Sequence, residues 1–100
     1  MKAKILLIEG KRADRPSFVA GLTRKGFQVE NAVNGSEALK RLTTTSPHLI
    51  IINAASMRTS GKRICQSIRS RDRDARIVLI ADTEGNNAIE KEDLADVVVE

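Results

Sequence analysis

The chain has no Trp and no Tyr, and Phe occurs only twice. Bases therefore find no aromatic stacking platform on it, and any core must be built from aliphatic side chains. A single cysteine, Cys65, excludes an internal disulfide, and its isolation gives no zinc-ligand spacing. No apolar run approaches the roughly 20 residues that span a bilayer. The N-terminal MKAKILLIEG is interrupted by Glu9 before it reaches the length of a signal-peptide core, and no Gly-rich phosphate loop occurs. These absences imply a soluble protein of the reducing cytoplasm with no membrane partner.

What remains is ordinary globular material: 100 residues, 41% hydrophobic and 30% charged. That is enough for one small domain with a single core, here residues 1–100, and too little for two. The net charge of +4 is unevenly spread, because 16 of the 17 Lys and Arg but only six of the 13 acids lie up to Ile80. A basic body thus carries an acidic end of net −6. With both signs interleaved in IRSRDRDAR (Ile68 to Arg76) and no aromatics, the basic residues suit solvated helix faces better than a nucleic-acid groove.

The pattern alternates. Lys4 to Ile8 is an apolar run without polar alternation, the signature of a strand buried on both faces. Asp14 with Pro16 starts a helix whose Phe18, Val19, Leu22 and Lys25 follow at helical spacing until Gly26 stops it. Phe27 to Asn31 reads as a second strand. Asn34-Gly35-Ser36 forms a turn and cap for a helix with Ala38, Leu39 and Leu42 inside. Pro47 introduces the strand Leu49 to Ile52. Gly61 to Ser70 is a third helix with Ile64, Cys65 and Ile68 inward, Ile77 to Ile80 a fourth strand, Ala88 to Leu94 a weak helix and Val97 to Val99 a last strand.

This βαβαβαβαβ order predicts an α/β fold. Parallel neighbours need crossover helices, crossovers are right-handed, and strands apolar on both faces need helices on both faces, so the sheet is open and doubly wound. The working crevice of such a sheet lies at the carboxyl ends of its strands, where strand order reverses. Those ends are Glu9-Gly10, Asn53 and Ala81.

At these residues the sequence resembles the receiver domains of bacterial two-component response regulators. ILLIEGKRADR is similar to their first strand and acidic turn, GFQVENAVNGSEAL to the second strand and second helix, and SPHLIIINAASMRTSG to the third strand and its loop. RIVLIAD and LADVVVE are similar to the fourth strand and the approach to the fifth. The resemblance implies the flavodoxin-like, CheY-like fold with five parallel strands in the order 2-1-3-4-5. It further implies an aspartate at position 53 that takes a phosphoryl group from a histidine kinase, and two acids after the first strand that hold Mg²⁺. A Thr or Ser after the fourth strand and a Lys after the fifth complete the implied site.

The sequence departs at nearly all of these positions. Asn53 replaces the phosphoacceptor; its amide is a poor nucleophile and forms no acyl phosphate. Gly10 leaves Glu9 as the one acid where Mg²⁺ prefers several anionic oxygens. Ala81 lacks the sensing hydroxyl, Ser56 and Met57 stand where Met-Pro is usual, and Glu100 comes before the Lys. The expectation is a degenerate pocket of Glu9, Gly10, Asn53 and Ala81 with no metal, no cofactor and no catalysis.

Other candidates read more simply. Glu9 beside Lys11 and Arg12 is expected to be their charge partner. His48, in the turn before a strand and without a positioned acid, is expected to be solvated. Ser56 lacks a base or metal that would activate its hydroxyl, and Cys65 is packing. The expected function is that of a pseudo-receiver, a phosphorylation-independent protein-interaction module in phosphorelay signalling. By resemblance its face is the fourth helix and fifth strand, with Glu84, Glu90, Glu92 and Asp93 meeting a kinase, an output domain or a second receiver. Nucleic acid is not an expected partner of this domain alone. The resemblance also implies a fifth helix beyond Glu100, so one sheet face is expected to be partly bare and covered either by a homodimer or by the rest of a longer protein. Two other classes stay open: a phosphotransfer protein with an atypical acceptor, and the receiver part of a DNA-binding regulator.

Overall fold

A computed structural model of the chain describes residues 2–10, 17–56, 60–80 and 97–99. The strands are β1 (Lys4–Glu9), β2 (Gln28–Ala32), β3 (Leu49–Asn53), β4 (Ile77–Ile80) and β5 (Val97–Val99), and the helices α1 (Val19–Arg24), α2 (Gly35–Leu42) and α3 (Gly61–Arg71). They form one sheet in the order β2-β1-β3-β4-β5, every neighbouring pair parallel. The chain steps one way from β1 to β2 and the opposite way from β2 to β3. Right-handed crossovers therefore put α1 on one face and α2 on the other.

The face under α2 and α3 holds the core: Leu6 and Ile8 of β1, Ile50 and Ile52 of β3, and Ile77 and Leu79 of β4 pack on Ala38, Ile64, Cys65 and Ile68. Local signals in the sequence set these helices. Asn34 caps α2 by accepting from the Glu37 N–H at 2.8 Å, a strong helix start. Gly35 lets the first turn of α2 close on α3, since a Cβ there would sit 3.3 Å from Ile64 Cγ1. Gly26, at φ 97°, turns the chain from α1 into β2 in a conformation that favours glycine. On the opposite face Ile5 and Leu7 are buried, while Leu49, Ile51, Val78 and Ile80 are half-buried.

The doubly wound parallel architecture is as the sequence predicts. One detail differs: Phe18, expected within the first helix, precedes α1 and is 42% exposed. Its backbone is committed to another contact, described below, and only Val19 and Leu22 of α1 are turned partly inward. The expected helix start at Asp14 and Pro16, the expected helix Ala88 to Leu94, Ala81 and the acidic residues Glu84, Glu90, Glu92 and Asp93 lie outside the described residues.

Candidate functional site

Strand order reverses between β1 and β3, and the last residues of these strands, Glu9 and Asn53, are register partners. In a parallel pair such residues point to the same side, so the sheet itself brings the two side chains together. Both are 5% exposed.

Their contact is direct. Asn53 Nδ2 donates to Glu9 Oε2 at 3.1 Å. The same carboxylate oxygen accepts the Phe18 N–H at 3.1 Å, and Oε1 accepts the Ser17 hydroxyl at 2.5 Å. Among the described residues three neutral donors thus meet one buried carboxylate, and hydrogen bonds of this kind are what make burying a charge tolerable. The amide must present nitrogen here, because its oxygen would face another acceptor. Ser17 has a second role, since its Oγ also accepts the Val19 N–H at 3.1 Å and so satisfies an end of α1.

A second brace lies behind the first. Ser56, in the 3-10 turn Ala54–Ser56 after β3, accepts the Gly10 N–H at 3.0 Å and donates to the Asn53 carbonyl at 2.8 Å. Gly10 therefore takes part through its backbone alone. The Ser56 proton is already committed to a carbonyl, and among the described residues neither of its partners is a base that would activate the hydroxyl.

Of the residues singled out from the sequence, the structure brings Glu9, Gly10, Asn53 and Ser56 together. His48 is at the other end of β3, where its ring Nδ1 accepts the Lys4 backbone N–H at 2.9 Å and its backbone N–H donates to the Lys4 carbonyl at 2.8 Å. It extends strand pairing and faces no site. Arg71 reaches the Leu39 carbonyl at 3.1 Å, and Arg69 the carbonyls of Arg73 and Ala75, so part of the basic stretch ties α3 to α2 and to the connection that leads into β4. Cys65 is buried in the core. Sequence reading missed Ser17 and saw Ser56 only as a weak acceptor. Lys11 and Arg12, the expected partners of Glu9, lie outside the described residues, and the donors found on it are neutral.

Residues 5–97 match the family profile described as the response regulator receiver domain. The chain belongs to this family. It is 30% identical over 80 residues to the response regulator MprA of Mycolicibacterium vanbaalenii, covering 80% of this chain and 35% of that protein. It thus spans about a third of the length of the curated relatives it matches. The response regulator protein TrrA of Thermotoga maritima, solved in complex with Mg²⁺-BeF, superposes with a TM-score of 0.78 at 27% identity, covering 99% of this chain and 85% of that one. A CheY-like receiver domain from Methylobacillus flagellatus gives 0.81 at 21% identity, covering 100% and 86%, and shows the fold alone.

A receiver fold implies Mg²⁺ at the ends of β1 and β3. The described residues do not fit the ion. Mg²⁺ demands oxygen ligands in near-octahedral geometry and gives up its water reluctantly. Here the one described carboxylate has both oxygens hydrogen-bonded, and its register partner Asn53 meets it with an N–H donor where an ion would need anionic oxygen. Among the described residues no three His, Cys, Asp or Glu side chains converge.

Proposed function

We propose that this receiver domain is a pseudo-receiver: it works in two-component signalling as a phosphorylation-independent protein-interaction module and not as an enzyme. The carrying observation is the Asn53–Glu9 hydrogen bond. A receiver with aspartate at position 53 would hold two carboxylates here, whose repulsion a metal ion relieves. In this chain the amide supplies the positive end of a dipole, and the pocket rests in one state without metal or phosphate.

The partner is a signalling protein of the cytoplasm: a histidine kinase, an output domain or another receiver. TrrA has been solved in complex with the histidine kinase ThkA, and that regulator is 27% identical to this chain. The acidic residues Glu84, Glu90, Glu92 and Asp93 form the docking face and meet basic residues on the partner. No helix among the described residues is long and apolar enough to cross a membrane.

The test is a titration of this protein with the phosphotransfer domain of a histidine kinase. Binding is expected to be the same before and after treatment with acetyl phosphate and Mg²⁺, and to weaken several-fold when Glu90, Glu92 and Asp93 are changed to Lys. Affinity that rises with acetyl phosphate would overturn the proposal.

A further inference from the structure

The amino end of the sheet lies opposite the Glu9–Asn53 pocket, and the connections into β2, β3 and β4 meet there: Gln28 donates to the Ala3 carbonyl, His48 to that of Lys4 and Ile50 to that of Arg76. Crossover helices run antiparallel to the strands, so their last turns reach the same end. Those turns are basic, with Arg24 in α1, Lys40 and Arg41 in α2, and Arg69 and Arg71 in α3, where cations complement the negative end of the helix dipole. Arg41 is engaged by Glu30 and Glu37, and Arg69 by the carbonyls of Arg73 and Ala75. Arg71 gives one nitrogen to the Leu39 carbonyl, and its guanidinium carries further N–H donors. Arg76 belongs to no helix. It leads into β4 with an exposed side chain, and among the described residues no acid pairs with it.

Arg71 and Arg76 both line a cavity of about 210 Å³, whose apolar wall is Leu42, Pro47, Ile50 and Ile68. Ile50 and Ile68 are core residues, so the cavity reaches down to the core. The one acid that lines it, Asp72, turns its Oδ1 to the Asp74 N–H at 3.0 Å. Three features restrict the occupant. The volume is below the roughly 300–1,000 Å³ of small-molecule and cofactor pockets, and suits a single side chain. The apolar wall offers nothing to a phosphate backbone, and no aromatic ring lines it for base stacking. The arginines favour carboxylates, which match the guanidinium fork.

We propose that this cavity docks an acidic segment of a partner protein, which seats one aliphatic side chain against Leu42, Ile50 and Ile68 and sets flanking Asp or Glu carboxylates on Arg71 and Arg76. Binding energy concentrates where an apolar anchor fills a pocket, and complementary charge around it selects the partner. The site stands apart from both the Glu9–Asn53 pocket and the proposed acidic docking face, so it gives the domain a second interaction surface that does not depend on either.

Fluorescence anisotropy tests this with the whole protein and the fluorescein-labelled peptide Glu-Asp-Glu-Leu-Asp-Glu-Asp, at about 0.1 M ionic strength, where charges act over only about 10 Å. The peptide is expected to bind saturably. Replacing its leucine with alanine is expected to weaken binding about tenfold, as for a truncated anchor. Arg76→Glu reverses the charge on one wall, and Ser46→Trp, at an exposed residue that also lines the cavity, crowds it with the charge unchanged. Each variant is expected to keep the wild-type circular dichroism and to bind the peptide several-fold more weakly. A wild type that does not bind the peptide overturns the proposal. Binding that the alanine peptide and Ser46→Trp leave unchanged overturns it too, since the attraction is then charge alone. A short DNA duplex that binds more tightly than the peptide and is weakened equally by Arg76→Glu would make this end a nucleic-acid surface and overturn it as well.

Discussion

Asn53 Nδ2 lies 3.1 Å from Glu9 Oε2, and both side chains are 5% exposed at the register-matched ends of β1 and β3. Neutral amide and charged carboxylate form the one arrangement of this pair that needs neither a proton nor a metal ion. The contact explains why a strand as apolar as LIIIN ends on an amide: asparagine keeps the shape of aspartate while turning an acceptor into a donor.

Asn53→Asp removes that donor and places a second carboxylate against Glu9. The variant is expected to lose about 2–3 kcal/mol of stability at neutral pH, the scale of a hydrogen bond to a buried charge. Two carboxylates at this distance favour sharing a proton, so the folded variant binds a proton more tightly than its unfolded chain. The penalty should therefore shrink as pH falls from about 7 toward 5, by linkage. Urea unfolding of both proteins at the two pH values checks this, and Glu9→Gln added to the variant should recover most of the loss at neutral pH.

Ser17→Ala deletes the hydroxyl that donates to Glu9 and accepts from Val19. A cost of about 1–2 kcal/mol is expected, as for a lost helix-capping side chain. Amide exchange at Val19 and Phe18 should quicken while the β3 amides stay protected.

Ser56→Ala leaves the Gly10 N–H and the Asn53 carbonyl without the partner they share. Unsatisfied buried groups of this kind cost about 1–3 kcal/mol, read by thermal or urea melting. The substitution should leave the products of acetyl phosphate treatment unchanged, because Ser56 is a brace and not an acceptor.

His48→Ala removes the acceptor for the Lys4 N–H. The site is exposed, so the expected cost is about 0.5–1 kcal/mol, the size of an ordinary net hydrogen bond. Chemical shifts near Glu9 and Asn53, at the far end of the strands, should stay in place.

Much of the fold was legible because its strands are short, apolar on both faces and separated by helices at 3.6-residue spacing. The position of Asn53 followed from topology alone, since open parallel sheets put their working crevice at strand ends. The content of that crevice did not. The cations expected beside Glu9, Lys11 and Arg12, lie outside the described residues, and the donors described on it, Ser17, Phe18 and Asn53, were not foreseen. Those partners depend on where α1 starts and on which strands are neighbours, neither of which a local charge pattern records. Phe18 shows the same limit: its spacing suits a helix position, but its N–H is held by Glu9 ahead of the helix and its ring is exposed. The role of His48 was hidden for a related reason, because the ring nitrogen continues a strand pairing that has no sequence signature.

The central claim is that the pocket has lost phosphoryl chemistry as a whole and not at one residue. Stabilising a transferring phosphoryl group takes a metal and several positioned donors, and the account has these missing together. The most direct measurement is intact mass after incubation with acetyl phosphate and Mg²⁺ of the wild type, of Asn53→Asp, and of the triple variant Gly10→Asp, Asn53→Asp, Ala81→Thr. The account predicts no phosphoryl adduct on the wild type and none on the single variant beyond that background. An adduct on the wild type, or one on Asn53→Asp formed as readily as on the triple variant, would contradict it.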